Sequence, residues 1–291
     1  MGFLRERSGA WCPEKIIAFA GAVAPVLWLA GRVWFNDLGP RPVTEAIHLC
    51  GDWTVRFIYL ALAVSPARRI FMAPRLILMR RTLGVAAFAY AFLHLSLYVL
   101  DQHFDLGQVA WEIVLRFYLT IGFVALLGLI TLAATSFDRA IRYLGSQRWN
   151  QLHRAVYAIA VLAQVHFLLQ SKNDVWQPML MLGFLAWLFG YRLLFKFAGE
   201  VTFVRLVGLA IVSAAITAVS ETTWYAVKTG ADPWLILSAN FDFSYEIRPA
   251  WFVLASGLVV AGTGWIWRQR STLRKIWSRA VVGETGVQSA S

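Results

Sequence analysis

The chain has five histidines in 291 residues, and three of them lie within or at the edge of long apolar runs. Residues 152–170 read LHRAVYAIAVLAQVHFLLQ, with His153 near the start and His166 thirteen residues further on. Residues 80–100 read RRTLGVAAFAYAFLHLSLYVL, with Arg80 at the start and His94 fourteen residues further on. On a helix these spacings are roughly 20 Å and 21 Å. If the two helices run parallel, His94 meets His166 at one level and Arg80 meets His153 at the other. Neutral imidazoles facing each other across a bundle are what the two axial positions of a heme iron require. Two such levels would carry electrons across most of a bilayer.

Helical phase qualifies this pattern. Fourteen residues bring Arg80 and His94 to within roughly 40° of one face, but thirteen leave His153 and His166 roughly 140° apart. A curved helix or two laterally offset cofactors would reconcile them. The plain alternative is a polar residue at a membrane interface, which suits His153 as well as a ligand does. His94 and His166 lie deeper, where an ionisable group points to function. His48 and His103 fall in outer loops and read as solvated, with His103 a substitute ligand near that surface.

Composition defines the frame that must hold these residues. Hydrophobic residues make up 59% and charged ones 15%, against about 25% charged in a soluble domain. Mean hydropathy is +0.59. The net charge of +11 does not point to nucleic acid, because the basic residues cluster between apolar runs as membrane proteins place them. Cys12 and Cys50 are the only cysteines, too few for a disulfide framework or an iron–sulfur motif. Apolar runs able to cross a bilayer fall near 16–35, 52–66, 82–100, 113–134, 153–170, 178–197, 205–227 and 249–267. Backbone amides in lipid must be bonded within their own segment, so the expected fold is all-α, a polytopic bundle of about eight transmembrane helices. Residues 1–200 read as the histidine-bearing domain, 201–270 as two additional helices and 271–291 as a polar tail.

Loop charges give an orientation. Twenty of the 27 basic residues fall at one set of span ends, among them Arg68, Arg69, Arg75, Arg80, Arg81, Arg139, Arg142 and Arg148. The opposite set is acidic, with Asp37, Glu45, Asp101, Asp105 and Asp174. The positive-inside rule puts both termini in the cytoplasm of a plasma membrane. No Gly-rich dinucleotide fingerprint and no separate soluble domain of the size a flavin–nicotinamide module needs is visible.

Three segments together carry a family resemblance: GDWTVRFIYLALAVSPARRI, RRTLGVAAFAYAFLHLSLYVLDQHFD and LGSQRWNQLHRAVYAIAVLAQVHFLL. They resemble the heme-binding membrane subunits of the bacterial methionine-sulfoxide reductase system, the MsrQ (YedZ) family, over roughly residues 15–197. That family belongs to the ferric-reductase-like transmembrane superfamily, whose six-helix core holds heme between histidine pairs on two helices. The resemblance implies that His94 and His166 ligate the outer heme b and that His153 takes one inner position. Arg80 stands where the oxidases of the superfamily carry histidine. Arginine is a permanently charged donor and a poor iron ligand, so a second heme would need His153, with Arg80 pairing its propionates or serving as an unusual ligand. The resemblance further implies FMN as a cofactor, electrons drawn from the quinone pool of the inner membrane, and a periplasmic molybdopterin methionine-sulfoxide reductase as recipient.

Other residues are candidates for support. Arg56, Arg32 and Arg116 lie toward the outer ends of their spans, and Arg56 is the best placed to compensate a heme propionate. The basic loop SPARRIFMAPRLILMRR suits an FMN phosphate or a quinone head-group, and equally suits topology alone. Typical relatives stop after about six helices. Here 205–267 add two, with Glu221 either a proton-handling group or a bonded polar residue. Two other functions fit the same sequence. One is a cytochrome b reducing ferric iron or another periplasmic enzyme. The other is a non-redox transporter relaying protons, although no broken helices or inverted repeat of that kind are visible.

Overall fold

Proline and small polar residues set where the helices begin. Pro13 opens α1 (Pro13–Trp34) at a first-turn position, where its missing N–H costs nothing. α2 runs Pro42–Ile70, and a short 3-10 turn at Pro74–Leu78 leads into α3 (Met79–Asp101). Asp105 caps α4 (Leu106–Leu115) by accepting from the Gln108 amide at 2.9 Å. Arg116 has extended backbone and separates α4 from α5 (Phe117–Ala134). α6 (Asp138–His153) contains a break at Gly145 (φ 75°), and α7 (Val156–Gln170) follows it. α8 covers Trp176–Ala198. Thr202 caps α9 (Phe203–Thr229), and Gly230 in the left-handed conformation ends it. The short α10 (Pro233–Ser238), a 3-10 turn and α11 (Pro249–Val287) complete the chain.

This computed structural model describes residues 11–172, 174–244 and 246–287, with side chains described up to residue 270. Among the described residues there is no strand. Among the described residues seven helices are long and apolar enough to cross a membrane by themselves, and α6 with α7, bent by 41°, adds an eighth if the pair counts as one span. Exposed Leu27, Phe92, Leu127 and Val212 lie within these helices. In water they would be a large apolar surface, whereas in lipid they are simply solvated. The chain is a multi-pass, all-α membrane protein.

The eight runs expected from hydropathy are all present, with shifted ends. α2 begins ten residues before the expected start at 52, so His48 is helical. The fourth crossing begins at Phe117 and not at 113, because Arg116 breaks the helix. Helical backbone continues through 271–287, where the sequence reads as a polar tail. The tail's last residues, 288–291, lie outside the described residues, as do Arg5 and Arg7.

The helices pack as two compact units: one ends at Val64 and resumes over Arg75–Leu185, the other joins Ser65–Pro74 to the chain from Ala186 onward. In the first, Tyr90 of α3 donates to the Ala22 carbonyl of α1 at 2.9 Å and its ring lies 5.1 Å from Phe57 of α2. In the second, Ile70, Tyr191, Val201, Leu206, Leu209 and Ala261 form one buried cluster. Glu221 of α9 is 2% exposed and accepts from Arg248 Nη1 at 3.3 Å. Removing one partner of a buried ion pair leaves an uncompensated charge. Arg248→Ala should therefore destabilise this unit by about 3 kcal/mol, read as earlier thermal unfolding in detergent.

Candidate functional site

His94 on α3 and His166 on α7 come together. Their ring centroids are 6.3 Å apart with planes crossing at 83°. Each ring is held the same way. His94 Nδ1 donates to the Ile47 carbonyl on α2 at 2.7 Å, and His166 Nδ1 donates to the Tyr118 carbonyl in the first turn of α5 at 2.7 Å. A carbonyl accepts only, so the proton sits on Nδ1 and the Nε2 lone pair is left for a metal. Thr120 fixes the turn that presents Tyr118, because its hydroxyl donates to the Ile113 carbonyl of α4 at 2.6 Å. The Tyr118 ring also stacks beside His166, 6.5 Å between centroids.

Four residues beyond each accepting carbonyl stands a glycine. A Cβ at Gly122 would lie 2.7 Å from His166 Nδ1, and one at Gly51 would lie 3.2 Å from His94 Nδ1. Each imidazole thus rests on a helical turn that lacks a side chain. Both rings line a cavity of about 480 Å³. Ala91, Leu119, Phe123, Leu126, Leu129 and Ala163 supply apolar wall, and Glu45, Asp52, Arg116, Lys172 and Asp174 supply polar wall near the helix ends.

These residues fit a heme with two histidine ligands. Two metal–imidazole bonds of about 2 Å, with roughly 1 Å more from each nitrogen to its ring centre, separate the centroids by about 6 Å. The observed 6.3 Å agrees. The tautomers, the two glycine seats and an apolar cavity with a charged end are the remaining requirements of a bis-imidazole porphyrin site.

The other expected residues are placed elsewhere. His153 closes α6, with its ring stacked on Trp149 at 3.8 Å. Its Nδ1 donates to the Trp149 carbonyl at 3.0 Å, and Nε2 is 3.4 Å from the Ser136 hydroxyl. Arg80 lies close enough for its charge to act on this ring. Neither lines the cavity of His94 and His166. Arg56 is not among the cavity-lining residues either: it reaches Asp52 and Gln177, each at 3.5 Å, and lies over the Trp53 ring. Arg116 does line the cavity, pairs with Glu112 and donates to the Tyr118 hydroxyl at 3.2 Å. Arg32 pairs with Asp37 at 3.3 Å and lies over Trp28. In the basic loop, Arg75 pairs with Glu14 and Arg81 with Asp138, each at 2.6 Å. His48 is exposed at the cavity rim, and His103 is exposed in a loop with φ 52°.

Sequence reasoning passed over Gly51, Gly122, Ile47 and Tyr118. The glycines carried a signal, since a glycine inside an apolar helix often marks a close approach. The carbonyls carried none.

Comparison with known proteins agrees with this geometry. The family model "Ferric reductase like transmembrane component" matches residues 51–164, which include His94, His153, Gly51 and Gly122. A protein of Rhodospirillum rubrum is 39% identical over 190 residues, 65% of this chain and 89% of its own length. One of Azospira oryzae is 41% identical over 180 residues, 61% of this chain and 77% of its own. One of Caulobacter vibrioides is 38% identical over 165 residues, 56% and 79% of the two chains. Each of the three is named protein-methionine-sulfoxide reductase heme-binding subunit MsrQ. No solved structure matches the chain. With such identity over most of those relatives' length, the chain belongs to the MsrQ family, within the ferric-reductase-like transmembrane proteins.

Proposed function

We propose that this chain is the heme-binding membrane subunit of a methionine-sulfoxide reductase system. It takes electrons from quinol in the inner membrane and delivers them to a periplasmic molybdopterin reductase that repairs oxidised proteins. The observation that carries the reading is the matched pair of seats, in which two half-buried imidazoles are each locked through Nδ1 onto a helical carbonyl. A structural histidine needs no such symmetry, and a proton relay needs both ring nitrogens available. When bound, heme b supplies reversible one-electron transfer. Ile47 and Tyr118 hold the ligand tautomer, and Leu126, Leu129 and Phe123 would exclude water from a bound heme. Arg116 and Lys172, at the polar end, would offset its carboxylates, with Arg56 contributing from behind Asp52.

A second level would be formed by His153 and Arg80: a further heme there would take His153 as its ligand, with Arg80 pairing its propionates or serving as an unusual ligand. FMN complements the donor side, as the resemblance implies. Both termini face the cytoplasm in this reading, so the His94 level lies toward the periplasm.

The visible spectrum of the purified full-length protein tests the proposal. A red preparation, with a Soret band that shifts on adding dithionite, is expected. A colourless protein made with ample heme supply would refute it.

A further inference from the structure

Gln164 lies in the apolar run of α7 at 3% exposure, and both ends of its amide are bonded. Its Oε1 accepts from the Tyr59 hydroxyl of α2 at 2.7 Å, and its Nε2 donates to the Pro178 carbonyl in the first turn of α8 at 2.9 Å. An unpaired amide at that depth would cost a few kcal/mol, so the two bonds are what permit a glutamine there. One side chain thus ties α7 to two neighbouring helices at once.

Its direction matters more than its strength. Gln164 precedes His166 by two residues, about 200° around the helix, so the two side chains leave α7 on nearly opposite sides. His166 bears on Gly122 and the Tyr118 carbonyl, while Gln164 bears on α2 and α8. α7 is only 15 residues long and follows a 41° bend. It therefore has no long straight partner in sequence to fix its rotation. A 20° turn would move a ring about 5 Å from the helix axis by almost 2 Å, enough to break a hydrogen bond of 2.7 Å.

We infer that Gln164 and Tyr59 are a positioning pair that sets the rotation of α7, and with it the angle at which the His166 imidazole meets that of His94. Neither residue lines the cavity, so both act through His166. The inference rests on the heme reading above.

The test uses the heme-loaded full-length protein and three variants, Gln164→Leu, Tyr59→Phe and Gln164→Glu. Readouts are the low-spin ferric EPR signal, the midpoint potential and amide hydrogen exchange along α7. Gln164→Leu should shift both the EPR signal and the potential, and should speed exchange in α7. Tyr59→Phe, which removes one hydroxyl, should shift them less. Gln164→Glu should restore wild-type values, because a protonated carboxyl at that depth accepts from Tyr59 and donates to Pro178 just as the amide does. Wild-type EPR and potential in both Gln164→Leu and Tyr59→Phe would overturn the inference. If Gln164→Leu fails to fold, Tyr59→Phe decides alone. A wild-type protein without heme refutes the cofactor reading only. Exchange along α7 then judges the clamp, and unchanged exchange in Gln164→Leu overturns it.

Discussion

Replacing His166 or His94 with alanine should abolish the heme signal of the His94–His166 level, each change by itself. Both rings sit in built seats, so removing one leaves the other with half of a coordination site and a cavity enlarged on one side. Loss of one axial ligand from a pair costs far more than the outer-shell changes that lower metal affinity by about 10–100-fold. Occupancy of that level, measured by its own low-spin EPR signal, should therefore fall by more than about tenfold. His153→Ala is the internal comparison. It lies on α6 with its ring on Trp149, outside the cavity lined by the other two histidines. It should leave the His94–His166 signal intact and remove only a second signal. If His153→Ala, and not His166→Ala, emptied the protein of heme, the assignment of the first level would be wrong.

The bundle and the meeting of His94 with His166 were legible in the sequence because run length and residue spacing are local properties. Eight apolar runs gave seven single helices able to cross and one bent pair, and the two spacings set His94 and His166 at one depth. The phase conflict between His153 and His166 shows where local reasoning stops. It assumes one straight helix over 153–170, yet the chain bends by 41° between His153 and Val156. The two histidines belong to different helices, so their angular separation on an ideal helix has no meaning. No proline or glycine stands at Arg154 and Ala155 to announce the bend. It arises from the packing of α6 and α7 on their neighbours, where Trp149 donates to the Thr135 carbonyl at 2.8 Å.

The order of the propionate candidates turns on a related point. Distance along the chain from a span end ranks Arg56 above Arg116, but side-chain direction on α2 sends Arg56 to Asp52 and Gln177. Arg116 reaches the cavity because it stands at the break between α4 and α5. That break follows from tertiary packing, which hydropathy does not record. The Gly51 and Gly122 seats were half legible: residue type suggested a close approach, but only the fold says that a histidine makes it.

Gly122→Ala should disturb the His94–His166 site more than alanine at any other glycine packed against it. Its Cβ would fall 2.7 Å from His166 Nδ1, 2.8 Å from Cε1 and 3.0 Å from Cγ, so the whole ring edge is in the way. The imidazole can escape only by leaving the Tyr118 carbonyl, which frees the Nδ1 proton and misaims Nε2, or by pushing α7 off α5. Either route disturbs the ligand itself, and heme affinity should fall by about 10–100-fold, the range seen for partners that orient a ligating histidine. Gly51→Ala should do less. There the contacts are 3.2 Å, and a shift of a few tenths of an ångström relieves them, so a displaced potential with heme retained is expected. Two further glycines separate this effect from crowding in general. Gly128 also faces α7, but its new methyl would meet Cγ1 and Cδ1 of the buried Ile159, each at 2.8 Å, and no atom of either histidine. Gly84 on α3 has nothing within 4 Å, so alanine there should help the helix slightly. Heme titration of the four variants should therefore rank Gly122→Ala well below Gly51→Ala, with Gly128→Ala and Gly84→Ala near wild type. Equal loss at Gly122 and Gly128 would mean that helix spacing, and not the seat of His166, governs the site.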